Sequence, residues 1–150
     1  MAATSTLNKW QANNLFTQYD FDPDSTDAVD IAWVDMRDFG GFRATFFRTV
    51  GTGDLDTMTI IGNTSSTGAG TDRIIVSKTL TGVQPNLLGD YTSLEVSAEQ
   101  IAEVGAANSE ALRYVSLQLE FATSTDEGVV TYIRYAPRFG RDALSADNIA

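Results

Sequence analysis

The chain contains neither cysteine nor histidine. Without cysteine there are no disulfides, no thiolate nucleophiles and no cysteine-based zinc site. Without histidine the usual proton shuttle near neutral pH is gone, and so are most transition-metal ligand sets and both common nucleophilic triads. Lysine is scarce as well, present only as Lys9 and Lys78. The chemistry that remains is carboxylate pairs, hydroxyls and a cation held by oxygens. No run of 18 apolar residues occurs, and the opening MAATSTLNKWQANN has neither a basic nor an apolar segment of a secretory signal. The expectation is a soluble chain made in a cytoplasm, without a membrane partner. Ten basic residues stand against twenty acidic ones, net −10, and residues 1–75 and 76–150 each carry five and ten. A phosphate backbone is repelled by such a surface, which argues against a nucleic-acid partner.

What is present suits one folded domain. At 150 residues, 43% hydrophobic and 10% aromatic, the chain can bury roughly two-thirds of its unfolded surface. Its dominant pattern is alternation with a period of two. In RYVSLQLEF, Val115, Leu117, Leu119 and Phe121 face one way and Tyr114, Ser116, Gln118 and Glu120 the other, as in a half-buried strand. VVTYIRYA follows after the turn TSTDEG, so the two read as a hairpin. VDIAWVD places Val29, Ile31 and Trp33 on one face; FRATFFRTV, LDTMTIIG, RIIVSKTL and YTSLEV add strands, and WQANNLFTQYDF supplies another. The spacing predicts an all-β fold, an antiparallel β-sandwich or jelly roll of seven to eight strands.

One helical segment interrupts the strands. SAEQIAEVG has Ser97 and Gln100 at capping-box spacing and ends at Gly105, which predicts at most two turns. It serves as a crossover between YTSLEV and RYVSLQLEF, with Ile101 and Val104 covering one end of the core. The ends differ from the middle: residues 1–9 are small and polar, and RFGRDALSADNIA after Pro137 has no period. The domain reading is therefore an arm at 1–9, a sandwich at 10–136 and a second arm at 137–150. TSSTGAGT (64–71) is a polar loop that projects from the sandwich.

Several stretches invite a chemical reading. YDFDPDSTDAVD holds five aspartates in eleven residues, and Asp20, Asp22, Asp24 and Asp27 are the calcium candidates. The spacing imitates the first half of an EF-hand loop, but Ser25 stands where glycine is needed and Ile31 where a bidentate glutamate is needed. A turn whose side chains bond their own backbone is the preferred reading, so no metal or cofactor is expected. Glu95, Glu99, Glu103 and Glu120 could supply a glycosidase pair, but solvated helix and strand faces account for them more simply. TSSTGAGTDR lacks the Gly-Lys-Ser/Thr ending of a phosphate loop and does not open a helix. Trp33, Phe42, Phe46 and Phe47 at strand spacing read as core before sugar platform. Arg43, Arg48 and Arg134 are expected to pair with strand or loop acids or to make subunit contacts. No enzyme is predicted.

With the strands laid out, the order of DAVDIAWVDMRDFGGFRATFFRTVGTGD, LDTMTIIGNTSSTGAGTD and YTSLEVSAEQIAEVGAANSEALRYVSLQLEF resembles small β-sandwich virion proteins of tailed bacteriophages. These decorate or cement the capsid; a SLEV-type strand, a short acidic helical crossover and an RYV-x-L-x-L strand carry the likeness, over roughly residues 27 to 135. The resemblance implies a non-enzymatic protein on the virion capsid surface whose partner is the major capsid protein, and a homo-oligomer, by family habit a trimer. Contacts are expected in the loop 62–72 and in the arms, with Lys9, Trp10, Arg138, Phe139, Arg141 and Leu144 as the partner-binding residues. Two alternatives stay open. One is a tail or head–tail joining protein on the same fold; the other is a calcium-dependent carbohydrate-binding module using Trp33 or Trp10.

Overall fold

The computed structural model describes residues 15–22, 26–83, 85, 87–123 and 125–137. They form nine strands and one helix: β1 (Leu15–Phe21), β2 (Val29–Asp30), β3 (Val34–Asp35), β4 (Phe39–Val50), β5 (Leu55–Asn63), β6 (Arg73–Thr79), β7 (Tyr91–Ser97), α1 (Ala98–Ala107), β8 (Tyr114–Phe121) and β9 (Glu127–Pro137). β2 and β3 both pair with β8 and act as one interrupted strand. The pairing then has a simple logic. β1 pairs with β9, β2 and β3 with β8, β4 with β7, and β5 with β6, all antiparallel. This is a single long hairpin bent between β5 and β6. Rolling it sets β9 beside β4 and β8 beside β5. Two sheets result, β1-β9-β4-β7 and β2-β8-β5-β6 with β3 also on β8. That wrapping is a jelly roll, the fold class expected from the alternation.

The inward phase of each strand builds the core. Along β4, Phe42, Ala44, Phe46 and Arg48 are buried while Arg43 and Phe47 are exposed. Phe21 stacks on Phe121 with centroids 5.3 Å apart, and Phe46 meets Phe121 edge-on at the same distance. On β5 the alternation fails, since Met58 to Asn63 are all buried; the bulge beside it lies on β6, where Ile75 is skipped between the pairs Ile60–Val76 and Ile61–Ile74.

Rolling also corrects the expected hairpin. β8 and β9 lie in different sheets, so the segment TSTDEG is a crossover and not a hairpin turn. Two adjacent strands in sequence pair only if they share a sheet, and local turn chemistry does not record which sheet comes next.

The connection between β7 and β8 is the expected helix. Gln100 N–H donates to Ser97 Oγ at 3.2 Å and Ser97 N–H to Gln100 Oε1 at 2.8 Å, a complete capping box. The helix runs two residues past its expected end. Gly105 is inside it, where a Cβ would lie 2.6 Å from the Glu110 carbonyl oxygen. Close approach of the following chain, not a cap, selects glycine there. Ile101 is buried as predicted, whereas Val104 is only partly covered.

Tyr132 ties the two sheets through the middle of the core. It points inward from β9, wholly buried, and its hydroxyl accepts the Leu117 N–H of β8 at 2.8 Å. The Ser116 side chain and the Ala32 backbone lie beside the same hydroxyl, and Ser116 Oγ donates to the Leu117 carbonyl. Ile31 N–H still donates to the Leu117 carbonyl, but the neighbouring ladder bond is replaced by the tyrosine, and the strand breaks at 31–33. The unbroken face of Val29, Ile31 and Trp33 is thereby corrected: beyond the break Val34 and Met36 are buried, and Trp33 lies against Gly68 of the β5–β6 loop.

Burial pushes the Tyr132 hydroxyl up to about 12 from its ordinary value of 10.0. Its stabilising contribution is therefore complete below pH ~10 and is lost as pH rises through about 12. Tyr132→Phe leaves the Leu117 N–H without a partner and is expected to cost about 1–3 kcal/mol at pH 7 in urea unfolding. The variant should also lose less stability than the parent between pH 10 and 12.

Candidate functional site

At one end of the sandwich a whole ion pair is buried. Arg48 falls in the inward phase of β4, and with Asp126 it is sealed from solvent, guanidinium to carboxylate 3.0 Å. Arg48 also donates to the carbonyls of Gly53 at 2.6 Å and Pro85 at 3.0 Å, and sits over the Phe121 ring. Asp126 accepts from Thr123 Oγ1 at 2.7 Å and from the Gly53 N–H at 3.2 Å. One pair thus joins the β4–β5, β6–β7 and β8–β9 connections. Gly51 allows this closeness: it has φ +84°, and a Cβ there would lie 1.6 Å from Asp126 Oδ1.

The other end is organised around Asp35. Arg113 grips its carboxylate with Nε and Nη2, while Arg134 Nη1 donates to the Asp35 carbonyl at 2.8 Å and its guanidinium lies 4.9 Å from the Phe39 ring. Hydrogen bonds from Arg113 hold the Asp35 carboxyl below the usual carboxylate range. Beside them a groove of about 310 Å³ runs between α1 and the β3–β4 turn, lined by Met36, Arg37, Ile101, Ala102, Leu112 and Arg113. Both arginines at its mouth already face acids of their own, Arg113 on Asp35 and Arg37 near Asp35 and Asp38. Arg73 and Glu110 form a further two-toothed pair, at 3.0 and 2.8 Å.

These geometries settle where the sequence candidates fall. Of the aspartate stretch, Asp20 is exposed on β1 and Asp22 and Asp27 are exposed beside it; Asp24 lies outside the described residues. Among the described residues no three acidic side chains come together to hold a metal. Asp30, the last of the run, donates nothing to such a site: it accepts from Gln118 at 2.9 Å, and burial raises its carboxyl above the ordinary value. Glu95 and Glu120 lie on different sheets. Glu95 accepts the Tyr135 hydroxyl, which burial and that carboxylate push up to about 12. Glu120 accepts Thr57 Oγ1 at 3.1 Å, and Glu99 and Glu103 are exposed on α1.

The aromatic set also comes apart. Phe42 and Phe46 are core, Phe47 is exposed, and Trp33 flanks the loop after β5. That loop is stitched: Asn63 Nδ2 donates to Asp72 Oδ1 at 2.7 Å and Asn63 Oδ1 accepts the Ser65 N–H at 2.8 Å. The expected pairing of strand arginines with acids holds for Arg48, with loop acid Asp126. Arg43 instead donates to Ser93 Oγ at 3.2 Å. Lys9, Trp10, Arg138, Phe139, Arg141 and Leu144 lie outside the described residues. Sequence reading placed Arg48 on a strand but missed its burial. The signal was its phase, two residues after Phe46.

No family model matches the chain, and no curated protein does. Solved structures resemble it at low identity. A chain of the disulfide-linked pili that form Bacillus endospore appendages has TM-score 0.47 and 14% identity, over 83% of this chain and 87% of that one. A chain of deformed wing virus has TM-score 0.49 and 10% identity, over 93% and 51%. The SPBc2 prophage-derived protein YomS has TM-score 0.44 and 10% identity, over 82% and 95%. At such values the neighbours carry no argument about function, and the jelly roll stands on its own strand order.

Two outcomes follow from this geometry. Gly51→Ala forces a side chain into Asp126 and into a left-handed backbone position, and is expected to cost about 1–3 kcal/mol or more in denaturant unfolding. Asp35, whose carboxyl is depressed in the fold, contributes stability that is complete above pH ~4 and is lost as pH falls through its lowered value. Asp35→Asn should be less stable than the parent at pH 7, and the gap in denaturation midpoint should narrow by pH 2.5.

Proposed function

We propose that this jelly roll is a non-enzymatic structural protein of a tailed-phage virion, one that decorates and stabilises the capsid by binding major capsid protein. The observation that carries the reading is where the described chain enters and leaves the sandwich. β1 begins at Leu15 opposite Arg134, and β9, its neighbour in the same sheet, ends at Pro137. Residues 1–14 and 138–150 therefore join the sandwich side by side at one end. Three of the ten basic residues of this acidic chain, Lys9, Arg138 and Arg141, belong to those two segments, together with Trp10, Phe139 and Leu144. A rigid body from one pole of which two such segments start is suited to holding neighbouring subunits of a shell.

Other observations favour this reading over a catalytic one. The acids that meet hydroxyls, Asp126 with Thr123 and Glu120 with Thr57, tie connections and strands of the fold together. Binding through short segments is weak for one copy, because ordering them costs free energy, and gains when several copies act together. A closed oligomer, a trimer by family habit, supplies that multiplicity.

Deleting residues 138–150 tests the proposal. Co-sedimentation with purified capsid shells should fall at least tenfold in apparent affinity, while the far-ultraviolet circular dichroism and melting temperature stay those of the full chain. Undiminished co-sedimentation of the truncated protein would overturn the assignment of these contacts.

A further inference from the structure

The end of the sandwich built on Arg48 and Asp126 carries an apolar surface that is exposed among the described residues. Phe47 and Tyr91 are cross-strand partners on the outward face of β4 and β7. The turn Leu87–Asp90 is fastened beside them. Gly89 N–H donates to the Arg48 carbonyl, Arg48 N–H to the Asp90 carbonyl, and Asp90 Oδ2 accepts the Leu87 N–H. Val50 closes the patch at the end of β4. The exposures are Phe47 43%, Val50 43%, Leu87 57%, Leu88 62% and Tyr91 67%. Scaling full side-chain areas of about 150–250 Å² by these fractions gives roughly 500 Å² of apolar surface. That is as large as the greatest patch on an ordinary monomer, and such patches mark contact sites.

We propose that this patch is the contact between copies of this chain in a closed oligomer. The inference deepens the virion reading, since it names the surface through which the oligomer forms. Area is the first argument. A stable interface takes about 800 Å² from each partner with an apolar centre, so these five side chains supply more than half of one face and the flanking backbone the rest. Charge is the second. Copies of a chain with net charge −10 repel one another except where no charge enters the contact. Here Asp126 is buried against Arg48 and Asp90 is turned onto its own loop; Glu127 is paired with Val50 at the edge, and the exposed Asp20 and Asp22 lie at β1, across β9 from Phe47. Order is the third. The turn is already locked to β4, so little freedom is lost on contact. The patch also lies at the pole opposite Leu15 and Pro137, because β1 runs from Leu15 opposite Arg134 to Phe21 opposite Gly128. Association there leaves the segments proposed to meet the capsid at the far pole, and so multiplies them.

The test is light scattering on size-exclusion fractions of the full chain, from low to high micromolar. The parent should have the mass of two or more chains, and L88E and Y91E should each fall to the mass of one, with circular dichroism unchanged and a melting temperature that no longer rises with protein concentration. Ile74 is as exposed but lies on β6 in the other sheet, so Ile74→Glu should keep the parent's mass. A parent that is a monomer throughout overturns the inference, as does an oligomer that survives both patch variants or is broken by I74E. Retained capsid co-sedimentation by a monomeric parent would sink this surface and leave the virion reading standing. An oligomer that dissociates in L88E but never binds capsid shells would support the surface and sink the virion reading. A partner other than a sister copy, apolar with a basic rim, would show itself as a monomeric parent whose binding to that partner L88E abolishes.

Discussion

The structure depends on one buried ion pair. Arg48 and Asp126 are both removed from water, at a desolvation cost that only further hydrogen bonds can offset. Those bonds go to Gly53, Pro85 and Thr123, which belong to three separate connections between strands. A rolled hairpin closes its core only if the connections at its poles are fixed, because each carries the chain from one sheet to another or around the same sheet. A pair of apolar residues could fill that volume but could not specify which carbonyls meet there. The charge pair fixes that arrangement, and Gly51 and the turn Leu87–Asp90 are shaped around it.

From this constraint the division of the molecule follows. The middle of the core is joined by Tyr132, whose hydroxyl reaches across to β8, and the second pole by Asp35 with Arg113 and Arg134. Among the described residues the buried charged pair, Arg48 and Asp126, bonds within the fold. On the surface are the apolar patch at the Arg48 pole, proposed to join copies of the chain, and the ends of β1 and β9 at Leu15 and Pro137, from which the segments proposed to meet the capsid start.

How far the sequence foretold this varies with the kind of information each feature needs. Strand faces follow from side-chain alternation, so the inward set Leu117, Leu119 and Phe121 of β8 was legible residue by residue, while on β4 Phe42 and Phe46 were read as core together with Phe47, which is exposed. The capping box at Ser97 and Gln100 is local chemistry and was legible too. The β8–β9 hairpin was misread because sheet membership is decided by the rolling of the whole chain, and the break at 31–33 because it is made by Tyr132, a hundred residues further on. Arg48 was legible as a strand arginine that pairs with an acid. Its burial needed Asp126, which lies in a loop whose position no local pattern records. The patch had a faint signal: PNLLGDY sets two leucines between Pro85 and Gly89, where a turn is otherwise polar. The partner-binding residues assigned to the arms lie outside the described residues.

The dependence of this architecture on Arg48 and Asp126 is tested most directly by a double-mutant cycle. Arg48→Met, Asp126→Asn and the double variant would be unfolded in urea at pH 7. Breaking a buried pair leaves an uncompensated charge, so each single change should cost about 3–5 kcal/mol, and the double variant much less than their sum, with a coupling of about 2 kcal/mol or more. Single costs below about 1 kcal/mol that simply add would contradict it, and the poles of the sandwich would then have to be held by something other than this pair.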